Sequence, residues 1–266
     1  MKDIKLIVTD MDGTFLNSEH EVSPDFAAMY QELKKRDIMF VPASGRQMAG
    51  ITKYFGDIES EIGFIAENGG YVIYKNQEIF ADEMQKDLAL KIIEAVREIP
   101  KAKLVLSAKK RAYYETDDQE FIDFFSQYYA KNQKVNDLTE VVDDSTFKIA
   151  IFHPEGSEKN LYPALKKFED YDLDIVVSGK YWLDVMNKNI NKGVALKKLQ
   201  KSLNILPEQT MAFGDYMNDI EMLKNSKYSY AMENAHPSVK ENASFEALSN
   251  DNFGVLKVVR NYLDSI

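Results

Sequence analysis

The stretch Lys5-Leu6-Ile7-Val8-Thr9-Asp10-Met11-Asp12-Gly13-Thr14 decides how the rest of the chain is read. Residues 5–9 are a short apolar run that reads as a buried strand. Two carboxylates then sit two residues apart, where the strand ends and a glycine turn begins. In an open α/β sheet, ligands bind beyond the carboxyl ends of the strands. A phosphoryl group there needs a nucleophile, a group that handles the leaving-group proton and a cation that neutralises oxygen charge. Asp10 suits the first role and can also ligate the cation. Asp12 suits the second, its backbone turned by Gly13. The same Asp-x-Asp-Gly pattern also fits a calcium loop or a plain turn, so the rest of the chain must choose.

The 266 residues suggest one large domain or two small ones, and 45% hydrophobic with 29% charged residues predicts a soluble globular protein with a substantial core. No run of about 18 apolar residues reads as a membrane span. Met1-Lys2-Asp3-Ile4-Lys5 runs straight into the first strand, without the apolar core of a signal peptide. Cysteine is absent, which excludes disulfides, thiolate chemistry and cysteine-ligated zinc. These features predict a cytoplasmic protein. The net charge of −10 argues against nucleic acid and anionic membrane as partners. It would also repel an anionic substrate, so a site for one must be made locally positive by a metal and a few lysines or arginines. No protein partner is predicted.

The pattern beyond the first strand alternates. Ser23-Pro24 reads as the cap and first position of a helix with Phe26, Met29, Tyr30 and Leu33 on one face. Residues 38–43 are a second continuous apolar strand, as in a parallel sheet covered on both sides. It ends at Ser44-Gly45-Arg46, ahead of a helix with Met48, Ile51, Tyr54 and Phe55 on one face. Ser44 is either a helix cap or an anion contact, and Gly45 lets backbone N–H groups approach an anion. Arg46 either lies near a phosphate or bridges surface carboxylates. Residues 64–66 form a third strand, followed by the turn Glu67-Asn68-Gly69-Gly70 and a hairpin around Lys75-Asn76-Gln77.

From about Met84 the pattern becomes helices mixed with sequentially neighbouring strands, which suggests an α+β module inserted between two halves of a parallel-sheet domain. Helices are expected over 87–99, 120–129 and 156–168, and strands near 104–106, 112–114, 140–142, 147–152, 175–177 and 182–185. Trp182 reads as core of this module. The core domain returns at Asn191-Lys192-Gly193. Lys192 heads a helix, where the macrodipole favours anions; the misfit suggests that lysine and dipole together hold a phosphate, against the alternative of a solvated lysine. A strand at 210–213 ends in Gly214-Asp215-Tyr216-Met217-Asn218-Asp219, whose carboxylates are hard oxygen ligands suited to Mg2+. The alternative for Asp219 is to be only the N-terminal charge of the next helix. A strand at 228–232 and a helix over 254–263 complete the chain. His20, His153 and His236 match no metal-ligand spacing and are read as surface or loop residues.

Asp10-Met11-Asp12-Gly13-Thr14, Ser44-Gly45-Arg46, Lys192-Gly193 and Gly214-Asp215-x-x-Asn218-Asp219, in this order, resemble the haloacid dehalogenase superfamily of phosphohydrolases. The insert between the second and third motifs resembles that of the Cof-type branch, and the first motif and Tyr30–Arg36 look similar to its bacterial broad-specificity sugar-phosphate phosphatases. The likeness extends to Ala66-Glu67-Asn68-Gly69 and Ala231–Ala235. It implies a Rossmann-like α/β core, 1–83 with 187–266, and an inserted α+β cap of the C2B type, 84–186, that closes over the substrate and sets specificity. It implies that Asp10 attacks phosphorus to form an aspartyl-phosphate and that Asp12 protonates the leaving alcohol and then activates water. Mg2+ would be held by Asp10, Asp215 and the Asp12 carbonyl, with Asp219 supporting it. Ser44, Gly45, Lys192 and Asn218 would bind the phosphoryl group of a small phosphorylated metabolite. A phosphomutase with the same nucleophile is the alternative, disfavoured because only about 30 residues separate Asp12 from Ser44, too few for a mutase-type helical cap. A non-enzymatic sensor is the other, disfavoured because all four motifs are intact.

Overall fold

The structure, a computed structural model, describes residues 3–266. In chain order the first half of the core carries β1 (Leu6–Asp10), α1 (Phe26–Lys35), β2 (Met39–Ala43), α2 (Met48–Thr52), β3 (Gly63–Ala66), β4 (Tyr71–Tyr74) and β5 (Gln77–Ala81). The insert carries α3 (Lys86–Arg97), β6 (Lys103–Ala108), β7 (Ala112–Tyr114), α4 (Gln119–Ser126), β8 (Asn132–Lys134), β9 (Thr146–Phe152), α5 (Ser157–Asn160), α6 (Tyr162–Leu165), β10 (Leu173–Val177) and β11 (Trp182–Asn187). The core resumes with α7 (Lys192–Leu203), β12 (Thr210–Gly214), α8 (Ile220–Lys224), β13 (Tyr228–Met232), α9 (Pro237–Lys240), β14 (Phe245–Ala247) and α10 (Gly254–Asp264).

Contacts divide the chain into two compact units, one running up to Phe80 and resuming over Asn191–Ile266, the other Ala81–Ile190. These divisions lie a few residues outside the expected 84–186. At the far end the reason is local: β11 continues to Asn187, and the Lys188 N–H still donates to the Asp172 carbonyl within the insert.

The core sheet has the order β14-β13-β12-β1-β2-β3-β4-β5. Strands β14 through β3 pair in parallel, and β3 with β4 antiparallel. This is the Rossmann-like α/β arrangement of the expected fold. β1 is central and buried at every residue, because apolar strands covered on both faces favour the middle of a parallel sheet. The hairpin joining β4 and β5 turns through Lys75 and Asn76, both at positive φ, the twist that two-residue hairpins need. Phe15 and Leu16, 1% and 0% exposed, pin the loop after β1 into the core. The Phe15 ring lies 5.0 Å from Phe26 and 5.3 Å from Phe40.

The insert is a second sheet of order β10-β11-β9-β6-β7-β8, mostly antiparallel. Several elements differ from expectation. The run 140–142 is not a strand: Asp137 caps a short 3-10 turn there, its side chain accepting the Thr139 N–H at 2.9 Å. The single helix expected over 156–168 is broken into α5, α6 and a 3-10 stretch. Pro163 lies in its middle, and a proline removes a backbone donor and clashes with the preceding turn. Pro24 likewise precedes rather than begins α1, whose N-cap is Asp25; Ser23 Oγ accepts the Asp25 N–H at 3.3 Å. Trp182 does lie in an aromatic core, 5.4 Å from Phe152 and 6.2 Å from Phe124.

Candidate active site

β1, β2 and β12 are adjacent, and the pairing sets Asp10 beside Ala43 and Thr9 beside Phe213. Asp10, Ser44 and Asp215 therefore leave the sheet along one carboxyl edge. The loop after β1 is closed by main-chain bonds from the Phe15 N–H to the Asp10 carbonyl and from the Leu16 N–H to the Met11 carbonyl. Gly13 stands at φ +77°, and a Cβ there would collide with the Asp215 carboxylate. Asp215 is held against this loop by Thr14, whose hydroxyl donates to Oδ1 at 2.9 Å.

Lys192 opens α7 behind the N-cap Asn191, whose side chain accepts the Val194 N–H at 2.9 Å. Its side chain is fully buried. The ammonium donates to Asp10 Oδ1 and, at 2.7 Å, to Asp219 Oδ1. Asp219, also fully buried, uses Oδ2 to accept the N–H groups of Asp215 and Tyr216 at 3.0 and 3.1 Å. Both of its oxygens are thus already engaged. A Cβ on Gly193 would collide with the Glu221 backbone, so glycine lets α7 press against α8 and brings the ammonium to the sheet edge.

Carboxylates of Asp10, Asp215 and Asp219 each offer an oxygen, all within 4.8 Å of one another. Burial pushes Asp10 well above the usual carboxylate range, with Asp219 and Asp215 adding to it and Lys192 opposing. Burial also raises Asp215, against the Thr14 hydrogen bond. For Lys192, burial alone would lower the ammonium, but Asp10 and Asp219 outweigh it and hold it above the ordinary lysine range. Once ionised, three carboxylates facing one ammonium would leave an excess of two negative charges in a poorly hydrated space. An all-oxygen set with that excess suits a hard divalent cation such as Mg2+.

Ser44, Gly45 and Asn218 meet at a second cluster whose centre is Asn68, a residue read from sequence as part of a turn and of the family likeness, with no role assigned. Ser44 is 2% exposed and its Oγ accepts the Arg46 N–H at 3.1 Å. The Asn68 N–H donates to the Ser44 carbonyl, and Asn218 Nδ2 donates to Asn68 Oδ1, both at 3.0 Å. The Asn68 amide lies where a Cβ on Gly45 would be only 3.0 Å away. Glu67, Asn68 and Gly69 are all at positive φ; two successive non-glycine residues in that region are strained and persist only where their surroundings hold them.

Asp12 is set apart from the buried carboxylates, its side chain 41% exposed. Arg46 donates to both of its oxygens, and His20 Nδ1 lies 3.3 Å from Oδ1. Of the two readings of Arg46, the carboxylate-bridging one holds here, with the candidate acid/base as the carboxylate. His20 and His236 are exposed as expected, but His153 is 3% exposed, its Nε2 3.1 Å from the Pro100 carbonyl.

The profile of the haloacid dehalogenase-like hydrolases matches residues 7–259. The chain belongs to this family. It is 33% identical to the 5-amino-6-(5-phospho-D-ribitylamino)uracil phosphatase of Escherichia coli, over 96% of this chain and 95% of that one. The crystal structure of a Streptococcus mutans protein shares 35% identity and a TM-score of 0.84, covering 98% of this chain and 100% of the other. One from Thermotoga maritima shares 27% identity and a TM-score of 0.87, covering 97% of each. This haloacid dehalogenase-like chain is a phosphatase, as its four motifs led us to expect. Among the described residues, no helix is long and apolar enough to cross a membrane.

Proposed function

We propose that this haloacid dehalogenase-like protein is a Mg2+-dependent phosphatase of small phosphorylated metabolites, most of all primary phosphate esters of sugars and polyols. The observation that carries the reading is the cluster of the buried Asp10 and Asp219, both bonded to Lys192, with the half-buried Asp215 beside them, and Asp12 two residues after Asp10 and outside that set. A nucleophile must be ionised and an acid/base must exchange protons; Lys192 and a bound cation would hold the buried Asp10 ionised against its burial, while Asp12 lies more exposed, outside that set.

Asp10 attacks phosphorus and becomes an aspartyl-phosphate as the ester oxygen leaves with a proton from Asp12. Asp12, now a carboxylate, takes a proton from the water that displaces Asp10. Lys192 and Ser44 hold the phosphoryl oxygens, Gly45 gives them access to the backbone, and Asn218 adds an amide contact. Mg2+, held by Asp10, Asp215 and the Asp12 carbonyl, would neutralise the phosphoryl charge. Asp219 serves it indirectly, by orienting Lys192 and the Asp215 backbone. The insert selects the leaving group. The sugar and polyol class is supported by the E. coli relative, whose named substrate carries its phosphate on a ribityl chain.

Phosphate release from a panel of sugar, polyol and nucleotide monophosphates, with and without Mg2+, tests this reading; the E. coli relative's named substrate belongs on the panel. Wild type should turn over one or more polyhydroxy phosphates only with the metal, and Asp10→Asn should lose at least about 1,000-fold in kcat. Turnover that survives Asp10→Asn without deamidation, or is indifferent to chelation, would refute it.

A further inference from the structure

Arg46 grips the Asp12 carboxylate with a guanidinium whose three nitrogens are each engaged. Nε donates to Oδ2 at 2.7 Å, one terminal nitrogen donates to Oδ1, and the other donates to the Tyr54 hydroxyl at 3.0 Å. The arginine backbone is fixed as well: its N–H donates to Ser44 Oγ and its carbonyl accepts the Glu67 N–H, each at 3.1 Å. An exposed ion pair between two long side chains fixes little. Here the arginine side chain is only 25% exposed, aspartate has few rotamers, and two parallel charge-assisted bonds set the carboxyl plane.

We propose that Arg46, braced by Tyr54, is the positioning residue for Asp12, holding the carboxyl where its proton meets the departing ester oxygen. This rests on reading Asp12 as the acid/base. In the first half-reaction the bond from Asp10 to phosphorus forms and that from phosphorus to the ester oxygen breaks. The ester oxygen keeps the electron pair and takes the Asp12 proton. In the second half-reaction the water oxygen bonds to phosphorus, its proton goes to Asp12, and Asp10 leaves as a carboxylate. Arg46 exchanges no proton: a protonated carboxyl retains lone pairs on both oxygens for the fork.

Positioning of an acid is felt only where the leaving group needs a proton. An alkoxide does; p-nitrophenolate does not. The test compares kcat and KM for a sugar phosphate and for p-nitrophenyl phosphate, in the full chain with Mg2+, for wild type, Arg46→Ala, Arg46→Lys, Tyr54→Phe and Asp12→Asn. Arg46→Ala should lose at least about tenfold more kcat/KM, which reports leaving-group departure and not the later attack of water, on the sugar phosphate than on p-nitrophenyl phosphate, with KM nearly unchanged. Tyr54→Phe should show the same selectivity more weakly, and Arg46→Lys should not restore it, because an ammonium cannot make the fork. Equal losses on both substrates with a rise in KM would make Arg46 a phosphate contact, and no loss would make the pair a surface feature; either overturns the proposal. Asp12→Asn separates the two levels: if it lowers kcat/KM, which ends at leaving-group departure, equally for both substrates, the reading of Asp12 as the acid itself fails, whereas a selective Asp12→Asn beside an unselective Arg46→Ala refutes only the positioning role. Should Arg46→Ala not fold by circular dichroism, Tyr54→Phe and Arg46→Lys decide by the same criteria.

Discussion

A lysine at the first position of a helix opposes the macrodipole, and burying its charge is costly. Lys192 does both, and Asp10 and Asp219 offset both. Replacing it with alanine would leave these carboxylates without an ammonium. We expect Lys192→Ala to lower unfolding free energy by about 3–5 kcal/mol in chelator, with part regained in Mg2+, as measured by urea titration; equal stability in the two proteins would remove Lys192 as their charge partner. The pH dependence has a definite sign. Because Asp10 and Asp215 are raised, the metal-free site is most stable when they are protonated, and that contribution is lost as pH rises through their raised values. A cation binds the deprotonated forms, so the rise in Tm on adding Mg2+ should grow as pH rises above the ordinary carboxylate value of 3.8. A shift that shrinks over this range would argue against these carboxylates as ligands. The strand-end aspartates and Lys192 were legible in the sequence because a residue at a strand end or helix start has its place fixed by the element itself. Arg46, His20 and Asn68 were less so, because their partners Asp12 and Asn218 are chosen by tertiary structure. Asn68 stood before Gly69 after a strand and inside the family likeness, but neither signal gave it a role.

Elements show where local signals compete. The apolar runs of β1, β2 and β12 were plain, whereas β8, Asn-Gln-Lys at the edge of the insert sheet, has no apolar residue to reveal it. The run 140–142 looked like a strand because Val141 and Val142 are β-branched, yet the turn capped by Asp137 prevails. That aspartate also anchors α3: the Arg97 guanidinium, with Thr139 beside it, lowers Asp137 to about 2. Its folded value lies below its unfolded one, so its contribution is complete above the ordinary value near 3.8 and is lost as pH falls through about 2. Arg97→Gln should therefore flatten the acid limb of the stability profile below about pH 4 and leave the neutral region little changed, as followed by Tm against pH. An unaltered acid limb would mean that the pair contributes nothing measurable. At the site, Gly13→Ala tests the loop after β1, since the added methyl meets Asp215 at a φ that alanine avoids. Affinity for Mg2+ should fall at least about tenfold while the far-ultraviolet spectrum stays native; unchanged affinity would show that the loop can yield.

At the scale of the molecule, the two units have hydrophobic clusters that share no residue. Phe15, Phe40, Phe213 and Val259 belong to the core unit, and Ile92, Leu106, Ile149 and Leu183 to the insert. The insert boundary could be read from sequence because the pattern changes from strand–helix alternation to neighbouring strands, but its exact residues follow hydrogen bonds that no composition shift marks. The one tryptophan, Trp182, packs in the aromatic cluster of the insert with Phe121 and Phe152. Its fluorescence therefore reports the insert alone, whereas far-ultraviolet circular dichroism reports both units. Separate cores permit separate cooperative transitions. Phe40, 1% exposed, belongs to the hydrophobic cluster of the core unit. Phe40→Ala should cost the core unit about 3–5 kcal/mol and move the dichroism midpoint in urea well ahead of the tryptophan midpoint. If both probes shift together, the units unfold as one, and the energy joining them must exceed what Phe40 contributes to the core.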